Sequence, residues 1–449
     1  MIFLLPACAL PTFPGLSNPD MGAVPDSGEP NRDAAVDLGQ RTDAGPILPP
    51  ADLAVELPYG ASLEVPMVAS SNFALLDVHF SIDTTGSFRE EIEALKRDLT
   101  SSIVPSLRSR ISDVALGVSR FEDLPVDPFG DPGDVPFRLV SPITTSLAEV
   151  DNAVASLDMP LGSGGDTPEA GAEALYQIAT GEGLSPYVAA WSRASGPGGG
   201  NRAGVGFRDG ALAVVVHVTD APTHAPSDYA AVVSGAHSTQ NAIAALRAEG
   251  IYVIGIASGE AARGYLEDVA RGTGAIEAPV SGACATGIAG SLHPAIGDAC
   301  PLVFDIDSDG TGLSTSLVDA IVRLLDNVRV HEAFGVVGDD PFHFVQSVVA
   351  NSAMAPVGLP IPGTADLHPA GDSVNDTFTE VAPGTTLNFG VMLRNNVIES
   401  TDYDQVFRVH VSIRGDGLIL SERVVRITVP AVHETLDASF ADASSAGDM

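Results

Sequence analysis

The sequence predicts an α/β domain with a doubly wound, mostly parallel sheet, inserted into an all-β sandwich domain. Over residues 73–329, apolar strand-like runs alternate with helical segments, a pattern typical of a parallel sheet covered by helices. Over residues 330–432, short strands of alternating polarity are separated by Gly, Pro and Asn turns, as in β-sandwiches. Two further strand-like segments lie in residues 51–72, so we expect the sandwich to be split around the α/β region.

Within the α/β region, two apolar runs end in carboxylates. Residues 75–82 lead to Asp83, and the continuous apolar run 211–218 leads to Thr219 and Asp220. Ligands of such sheets bind beyond the carboxyl ends of the strands, so we expect Asp83 and Asp220 to lie at a ligand site. The other predicted elements are strands at 114–118 and 251–256 and helices at 90–107, 168–180, 240–249 and 317–327.

The sandwich strands are predicted from their period-two alternation. Consecutive side chains of a strand point to opposite faces, so alternation places one apolar row in a core. The predicted strands are 385–393, 406–413 and 418–429 after the α/β region, and 53–57 and 62–65 before it.

The N-terminal segment resembles a bacterial lipobox. Residues 1–8 are a short apolar run ending in Leu5-Pro6-Ala7-Cys8, the pattern in which the cysteine becomes lipidated. The resemblance implies an outer-membrane-anchored lipoprotein of a Gram-negative bacterium. The alternative is an ordinary N-terminus with a free Cys8 thiol, since no Lys or Arg precedes it. Residues 9–50 and 433–449 are predicted to be a disordered acidic linker and a disordered tail.

The charge balance excludes several classes of partner. The 449 residues contain 22 Lys and Arg against 58 Asp and Glu, a formal net charge of −36, and Lys96 is the only lysine. Such an acidic field repels phosphate backbones and anionic lipid headgroups. Nucleic-acid binding is therefore excluded, and membrane contact is expected only through a lipid anchor. Divalent cations are the partners that this field favours.

Cys284 and Cys300 bracket a segment rich in Gly, Ala and Ser. In an exported protein, a disulfide between them would close this loop and stabilise the fold by roughly 3 kcal/mol. The alternative is two unpaired buried thiols in a cytosolic protein. Neither cysteine has a partner at zinc-ligand spacing, so a structural zinc site is not expected.

Three segments carrying carboxylates or hydroxyls lie at predicted strand ends and helix starts. Asp83, Thr85 and Ser87 share the turn after the first α/β strand, the loop 164–169 opens a helix, and Asp220 ends the central strand. One carboxylate and two hydroxyls on a tight turn are hard oxygen ligands, which suit Mg²⁺ and leave positions open for water. Any one segment alone is more simply a helix cap. Together they predict a metal site.

This combination resembles a von Willebrand factor type A domain with its metal-ion-dependent adhesion site. It is most similar to the I-like domain of integrin beta subunits, which is inserted into a β-sandwich called the hybrid domain. The resemblance covers about residues 50–430 and implies a Rossmann-like fold for residues 73–329. It implies that Mg²⁺ or Mn²⁺ is held by Asp83, Thr85, Ser87, Asp220 and either Thr167 or Glu169.

The resemblance also implies two flanking metal sites, for which Ca²⁺ is the candidate ion. Glu90 and Glu91 match the acidic pair of an adjacent site, where the family has Asp. Acidic residues in a first helical turn also favour the helix dipole without a metal. The third site is matched by Asp123, Asp166 and Pro168, with Gly164 in place of the family's Asn. Its alternative is a set of ordinary loop carboxylates.

Other groups are expected to be structural. Residues 305–310 resemble the first half of an EF-hand loop, but the twelfth position is Ser316, so we favour an acidic turn before the last helix. His217 and His224 are interpreted as a core histidine and a loop histidine. The glycine run 196–200 is interpreted as a flexible insertion.

No nucleophile elbow, phosphate-binding loop or HExxH motif is present, so no enzymatic activity is expected. The resemblance implies a non-enzymatic, divalent-cation-dependent adhesion protein whose metal ligates an acidic residue of a partner protein. The alternative is a structural envelope or assembly scaffold whose metal sites only stabilise loops.

Overall fold

The structure, a computed structural model, describes residues 53–432 except 74, 112, 158–160, 163 and 164. Cys8, Gly164 and the predicted linker and tail therefore lie outside the described residues. The described residues belong to one compact unit, Ala51–Met449.

The described residues form nineteen strands and eight α-helices. The strands are β1 (Leu53–Glu56), β2 (Ser62–Ser70), β3 (Leu75–Asp83), β4 (Asp113–Phe121), β5 (Arg138–Thr144), β6 (Leu212–Thr219), β7 (Ile251–Ala257), β8 (Ile276–Glu277), β9 (Ala283–Cys284), β10 (His293–Pro294), β11 (Cys300–Pro301), β12 (Val303–Asp305), β13 (Val330–Gly338), β14 (Val345–Met354), β15 (Gly363–Ala365), β16 (Thr377–Val381), β17 (Thr386–Arg394), β18 (Gln405–Gly415) and β19 (Leu418–Val429). The helices are α1 (Arg89–Asp98), α2 (Val104–Arg108), α3 (Leu147–Ala155), α4 (Gly171–Thr180), α5 (Pro226–Tyr229), α6 (Thr239–Ala248), α7 (Glu260–Thr273) and α8 (Leu313–Asn327). Within these ranges, no helix is both long and apolar enough to cross a membrane.

The predicted mostly parallel sheet is confirmed. Six strands lie in the order β12-β7-β6-β3-β4-β5, and all neighbours are parallel except β4 and β5, which are antiparallel. Every residue of β6 is buried. Its Val214 and Val216 belong to one apolar core and its Ala213 and Val215 to another. Both faces of the sheet are therefore covered, which is why its central strands read as continuous apolar runs.

Two further sheets form a β-sandwich-like arrangement. One has six strands in the order β1-β19-β18-β13-β16-β15, and the other has three in the order β14-β17-β2. Phe378 of the first sheet meets Phe389 of the second edge-to-face, with ring centroids 5.0 Å apart. Both rings are buried, so the inner faces of the two sheets share a core.

Strands from before and after the α/β segment pair with each other. Leu53 of β1 pairs with Val425 of β19 in a parallel ladder. Val65 of β2 pairs with Val391 of β17 in an antiparallel ladder. The chain thus leaves the sandwich after β2, forms the parallel sheet and its helices, and returns at β13.

Several predicted element boundaries were wrong. The helix predicted at 90–107 is α1 and α2 joined by a π-helical turn, Leu99–Ile103. The helix predicted from residue 168 begins at Gly171, because Glu169 instead forms a bridge with Thr223. The helix α7 was not predicted, although its buried Ala262, Leu266, Val269 and Ala270 have helical spacing.

The predicted disulfide is confirmed: Cys284 and Cys300 are bonded, with Cα atoms 5.4 Å apart. The glycine run 196–200, predicted to be flexible, packs on the edge strand β5. Gly196 donates its N–H to the carbonyl of Ile143 at 3.2 Å. A Cβ at Gly199 would lie 2.2 Å from that same carbonyl oxygen, so close approach of two backbones requires the glycine.

Candidate metal centre

Asp83 lies at the carboxyl end of β3, beside the carboxyl end of β6, and its side chain is fully buried. Its Oδ1 accepts hydrogen bonds from the backbone N–H and the hydroxyl of Thr85, at 3.0 and 2.8 Å. Its Oδ2 accepts one from the hydroxyl of Thr219 at 2.7 Å. The hydroxyl oxygens of Thr85 and Ser87 are 3.3 Å apart, and Ser87 is exposed. The side chains of Asp83, Thr85 and Ser87 therefore lie close together, with Asp83 buried and Ser87 at the surface.

Glu169 reaches the same edge of the sheet from the second predicted loop. Its backbone N–H donates to Pro222 at 2.9 Å, and its carbonyl accepts from the N–H of His224 at 3.0 Å and from the Thr223 hydroxyl at 3.1 Å. These bonds fix Glu169 beside the loop that follows β6. Its side chain is only 5% exposed, whereas Thr167 is exposed. Of the two alternatives for this loop, Glu169 is the buried one.

Burial disfavours the charged forms of two carboxyl groups at the centre. Burial raises the pKa of Glu169 to about 10, reinforced by the charges of Asp83, Asp123, Asp134 and Asp220. Burial also raises the pKa of Asp83 to about 7, although its hydrogen bonds oppose the shift. The Oε2 atom of Glu169 has no hydrogen-bond partner among the described residues. The Asp83 carboxylate beside two hydroxyls, and the orphaned buried oxygen of Glu169 on the adjoining loop, are hard oxygen ligands of the kind that suit a divalent cation.

The predicted acidic pair on α1 is divided between solvent and interior. Glu90 is exposed, whereas Glu91 is buried. Glu91 accepts a hydrogen bond from the hydroxyl of Ser258 through Oε1, and its Oε2 has no partner in the described part of the chain. Burial raises the pKa of Glu91, with the charge of Asp220 adding to the shift. Glu91 is therefore the member of the pair that is electrostatically coupled to the centre.

At the predicted third site, the structure brings together Asp123, Asp166 and His224, one ligand atom of each lying within 4.8 Å of the others. The Nε2 atom of His224 is 3.2 Å from Oδ2 of Asp123 and 3.1 Å from Oδ1 of Asp166. Asp123 is fully buried and Asp166 is exposed. The predicted third member, Pro168, has only a backbone carbonyl to offer.

His224, which the sequence predicts to be a loop histidine, lies between two carboxylates. It is 6% exposed. Burial opposes its charge, but its contacts with the carboxylates of Asp123 and Asp166 raise its pKa to about 9. Its position in the sequence, four residues after Asp220 in the loop that follows the central strand, indicates that it lies near the same edge of the sheet.

Asp305 and His217, which belong to the two other sequence candidates, are both engaged by neighbouring side chains. Within residues 305–310, Asp305 accepts a hydrogen bond from Arg263 at 2.6 Å and contacts His293 at 2.6 Å, so its oxygens are already occupied. His217 is fully buried, and burial lowers its pKa to about 3. Its ring contacts the hydroxyl of Ser81 at 3.0 Å and stacks on Phe121.

A further acidic group, Asp366, Asp372 and Asp376, lies in the turn between β15 and β16. Asp366 accepts hydrogen bonds from the backbone N–H groups of Gly371 and Ser373 at 2.9 and 2.8 Å. Asp376 accepts them from Leu367 and His368, and Asp372 from Val374. These carboxylates hold the turn itself together.

No protein-family model and no curated protein matches the sequence. Among solved structures, the chain is similar to two crystal forms of the pilus adhesin SpaC from Lactobacillus rhamnosus GG. The open conformation aligns with a TM-score of 0.31 and 10% identity, over 82% of this chain and 45% of that one. The other form aligns with a TM-score of 0.32 and 10% identity, over 84% and 47%. The chain thus spans less than half the length of SpaC.

Proposed function

We propose that this protein is a non-enzymatic, divalent-cation-dependent binding protein that captures an acidic side chain of a partner protein. The observation that carries the proposal is the buried carboxylate of Asp83 beside the hydroxyls of Thr85 and Ser87 at one edge of the sheet, with Glu169 and Asp220 on the adjoining loops. Mg²⁺ or Mn²⁺ held there would supply a concentrated positive charge with an open position for a carboxylate oxygen.

Different residues have different roles in the proposed site. Thr219 and the backbone N–H of Thr85 hold the Asp83 carboxylate rigidly. Glu169 and Asp220 bring negative charge from two neighbouring loops, and Ser87 marks the side that faces solvent. A partner carboxylate would thus approach from the Ser87 side.

Selectivity in this proposal depends on a single direct bond. The protein carries a formal charge of −36, and its long-range field repels anionic partners. A carboxylate must therefore gain its binding energy at the metal itself. We expect affinity for such a partner to rise with ionic strength at first, because salt screens the repulsion before it weakens the short contact.

We further propose that residues 73–329 form a von Willebrand factor type A domain inserted in a hybrid-like sandwich of residues 51–72 and 330–432. The strand pairings of β1 and β2 support this. We propose lipidation at Cys8 and a place in the cell envelope, supported by the lipobox-like residues alone.

The test uses Mn²⁺ bound to metal-stripped protein, with water proton relaxation as the readout. We expect bound Mn²⁺ to retain exchanging water, and acetate or a glutamate-containing peptide to displace that water. Ser87→Ala and Glu169→Gln should weaken the Mn²⁺ affinity by about tenfold or more. Asp151→Asn, an exposed carboxylate on α3, is the matched control and should change nothing.

A structural scaffold is the second candidate, and the burial of Asp83 and Glu169 favours it, because neutralising buried charge stabilises a fold without any partner. The scaffold gains the stronger support if Mn²⁺ binds and raises the melting temperature but no carboxylate compound displaces its water. The adhesion proposal would then be wrong.

A further inference from the structure

The group of Asp123, Asp166 and His224 mixes two carboxylate oxygens with an imidazole nitrogen. Nitrogen is a poor ligand for Mg²⁺ and Ca²⁺, whereas imidazole suits Zn²⁺ and its neighbours in the first transition row. We propose that these three side chains form a transition-metal site, with Zn²⁺ as the preferred ion, separate from the Asp83 centre. Its ligands differ from those of the Asp83 centre, so either site can exist without the other.

Two of the three distances between the ligand atoms match those around such an ion, and all three are within 4.8 Å. Nε2 of His224 lies 3.2 Å from Oδ2 of Asp123 and 3.1 Å from Oδ1 of Asp166. Ligands about 2.0 Å from a tetrahedral Zn²⁺ lie roughly 3.3 Å from one another. Three protein ligands would leave the fourth position to water or to another molecule.

The carboxylate of Asp123 points toward the other two side chains, and only one of its oxygens is engaged in hydrogen bonds. Its Oδ1 accepts hydrogen bonds from the Tyr229 hydroxyl and from the backbone N–H of Leu124. Its Oδ2 is buried and has no hydrogen-bond partner within the described residues. Nε2 of His224 can carry a single hydrogen, and this nitrogen is hydrogen-bonded to Asp166. The second oxygen of a fully buried carboxylate is therefore left facing the imidazole.

The outer contacts also resemble those of a metal-binding histidine. Nδ1 of His224 lies 3.4 Å from Oδ2 of Asp228, and Asp228 is itself fixed by the backbone N–H of Ala225 at 2.8 Å. A carboxylate on the second ring nitrogen orients the ring and leaves Nε2 for the metal. The ring edge packs on Phe129, with centroids 5.0 Å apart.

The loop that carries Asp166 is closely packed against the loop after β4. Gly165 donates its N–H to the carbonyl of Phe129 at 2.6 Å. A Cβ on Gly165 would lie 2.0 Å from the carbonyl oxygen of Pro128. The exposed Asp166 is thereby held beside Asp123 and His224 by its backbone, as a ligand site requires.

A protonated His224 is the competing explanation of the same contacts, because an imidazolium also binds two carboxylates. The two explanations differ in whether metal binds. Metal-stripped full-length protein is titrated with Zn²⁺ by calorimetry and with Co²⁺ by visible absorption. We expect one equivalent of Zn²⁺ to bind, and bound Co²⁺ to show the intense visible bands of a tetrahedral ion.

His224→Gln and Asp166→Asn should each weaken Zn²⁺ binding by at least about tenfold. Asp166→Asn alters only an exposed loop residue, so its Zn²⁺ affinity can be measured even if His224→Gln fails to fold. His237→Gln, which removes a histidine paired with a single carboxylate, Glu173, is the matched control. Ser87→Ala should lower Mg²⁺ affinity and leave Zn²⁺ affinity unchanged.

The proposal is overturned if the unaltered protein binds no stoichiometric Zn²⁺, since His224 is then only a protonated partner of the two carboxylates. It is equally overturned if Asp166→Asn binds Zn²⁺ as tightly as the unaltered protein. Neither result bears on Mn²⁺ binding at Ser87, which is measured separately.

Discussion

The hydroxyl of Thr219 donates a 2.7 Å hydrogen bond to Oδ2 of Asp83, joining the carboxyl ends of the two central strands. Both side chains are buried. A carboxylate in such a place needs its hydrogen bonds, because an unpaired buried charge is costly. The bond therefore holds Asp83 in one orientation and lowers the cost of its charge.

Thr219→Val removes this bond at nearly constant volume. We expect the free energy of unfolding to fall by about 1–3 kcal/mol and Mg²⁺ affinity to fall by about tenfold. Urea denaturation and calorimetry measure the two effects. Thr428→Val, a half-buried strand threonine of the sandwich, is the control. Equal Mg²⁺ affinity in both variants would argue against a role for Asp83 in metal binding.

The metal-free protein should lose stability as the pH rises. Asp83 and Glu169 have pKa values of about 7 and about 10 when folded, above the ordinary carboxyl range of about 4. The folded state therefore holds more protons, so stability falls as the pH rises above that range. The raised pKa of His224, about 9, acts in the same direction, since its stabilisation is lost as the pH rises through that value.

We expect the melting temperature in EDTA to fall by at least about 5 °C between pH 5.5 and pH 8.5. Mg²⁺ should reduce this fall, because it replaces the lost protons as the neutralising charge. The Glu169→Gln variant should show a smaller fall of the melting temperature even in the absence of metal. A melting temperature that is constant with pH in EDTA would contradict the raised pKa values described for Asp83 and Glu169.

Gly165→Ala should weaken both metal sites. The added Cβ would meet the Pro128 carbonyl oxygen, so the backbone that carries Asp166 and leads to Glu169 must shift. We expect Zn²⁺ and Mg²⁺ affinities to fall by about tenfold each. Gly264→Ala is the matched control: this helix residue of α7 has open space around it, and alanine should stabilise by about 0.5–1 kcal/mol. Calorimetry on both variants shows whether the loop that contains Gly165 supports both metal sites.

Removal of the disulfide should affect stability but not the metal sites. The Cys284–Cys300 bond closes a loop with a sequence separation of 16, so its loss should cost roughly 3 kcal/mol. We expect the double serine variant to unfold at lower urea concentration with unchanged Mg²⁺ affinity. A reducing agent should lower the stability of the unaltered protein to that of the variant. A change in Mg²⁺ affinity would instead indicate that the 284–300 loop supports the site.

The strand ends could be predicted from sequence because local signals determine them. The apolar run before Asp83 and the run before Thr219 identify buried strands, and parallel strands bring their carboxyl ends to one edge. The disulfide was predictable for a similar reason, since the composition between Cys284 and Cys300 suits a closed loop.

Long-range contacts decided what the sequence did not reveal. The bridge between Glu169 and Thr223 delays the helix α4, despite a proline that favours an earlier start, because tertiary pairing overrides local preference. The role of His224 depends on the loops after β4 and β6 meeting the loop before α4. The contact between these three loops cannot be predicted from residue spacing along the chain.

The pairing of β1 with β19 and of β2 with β17 determines the order in which the protein can fold during synthesis. The two early strands leave the ribosome several hundred residues before their partners. The parallel sheet is complete before β13 emerges, so it can fold while β1 and β2 still have unpaired edges. Unpaired strands are prone to association with other chains. The sandwich therefore closes last, and a nascent chain arrested after α8 would carry a finished sheet beside two strands that need a chaperone or a late-arriving C-terminus.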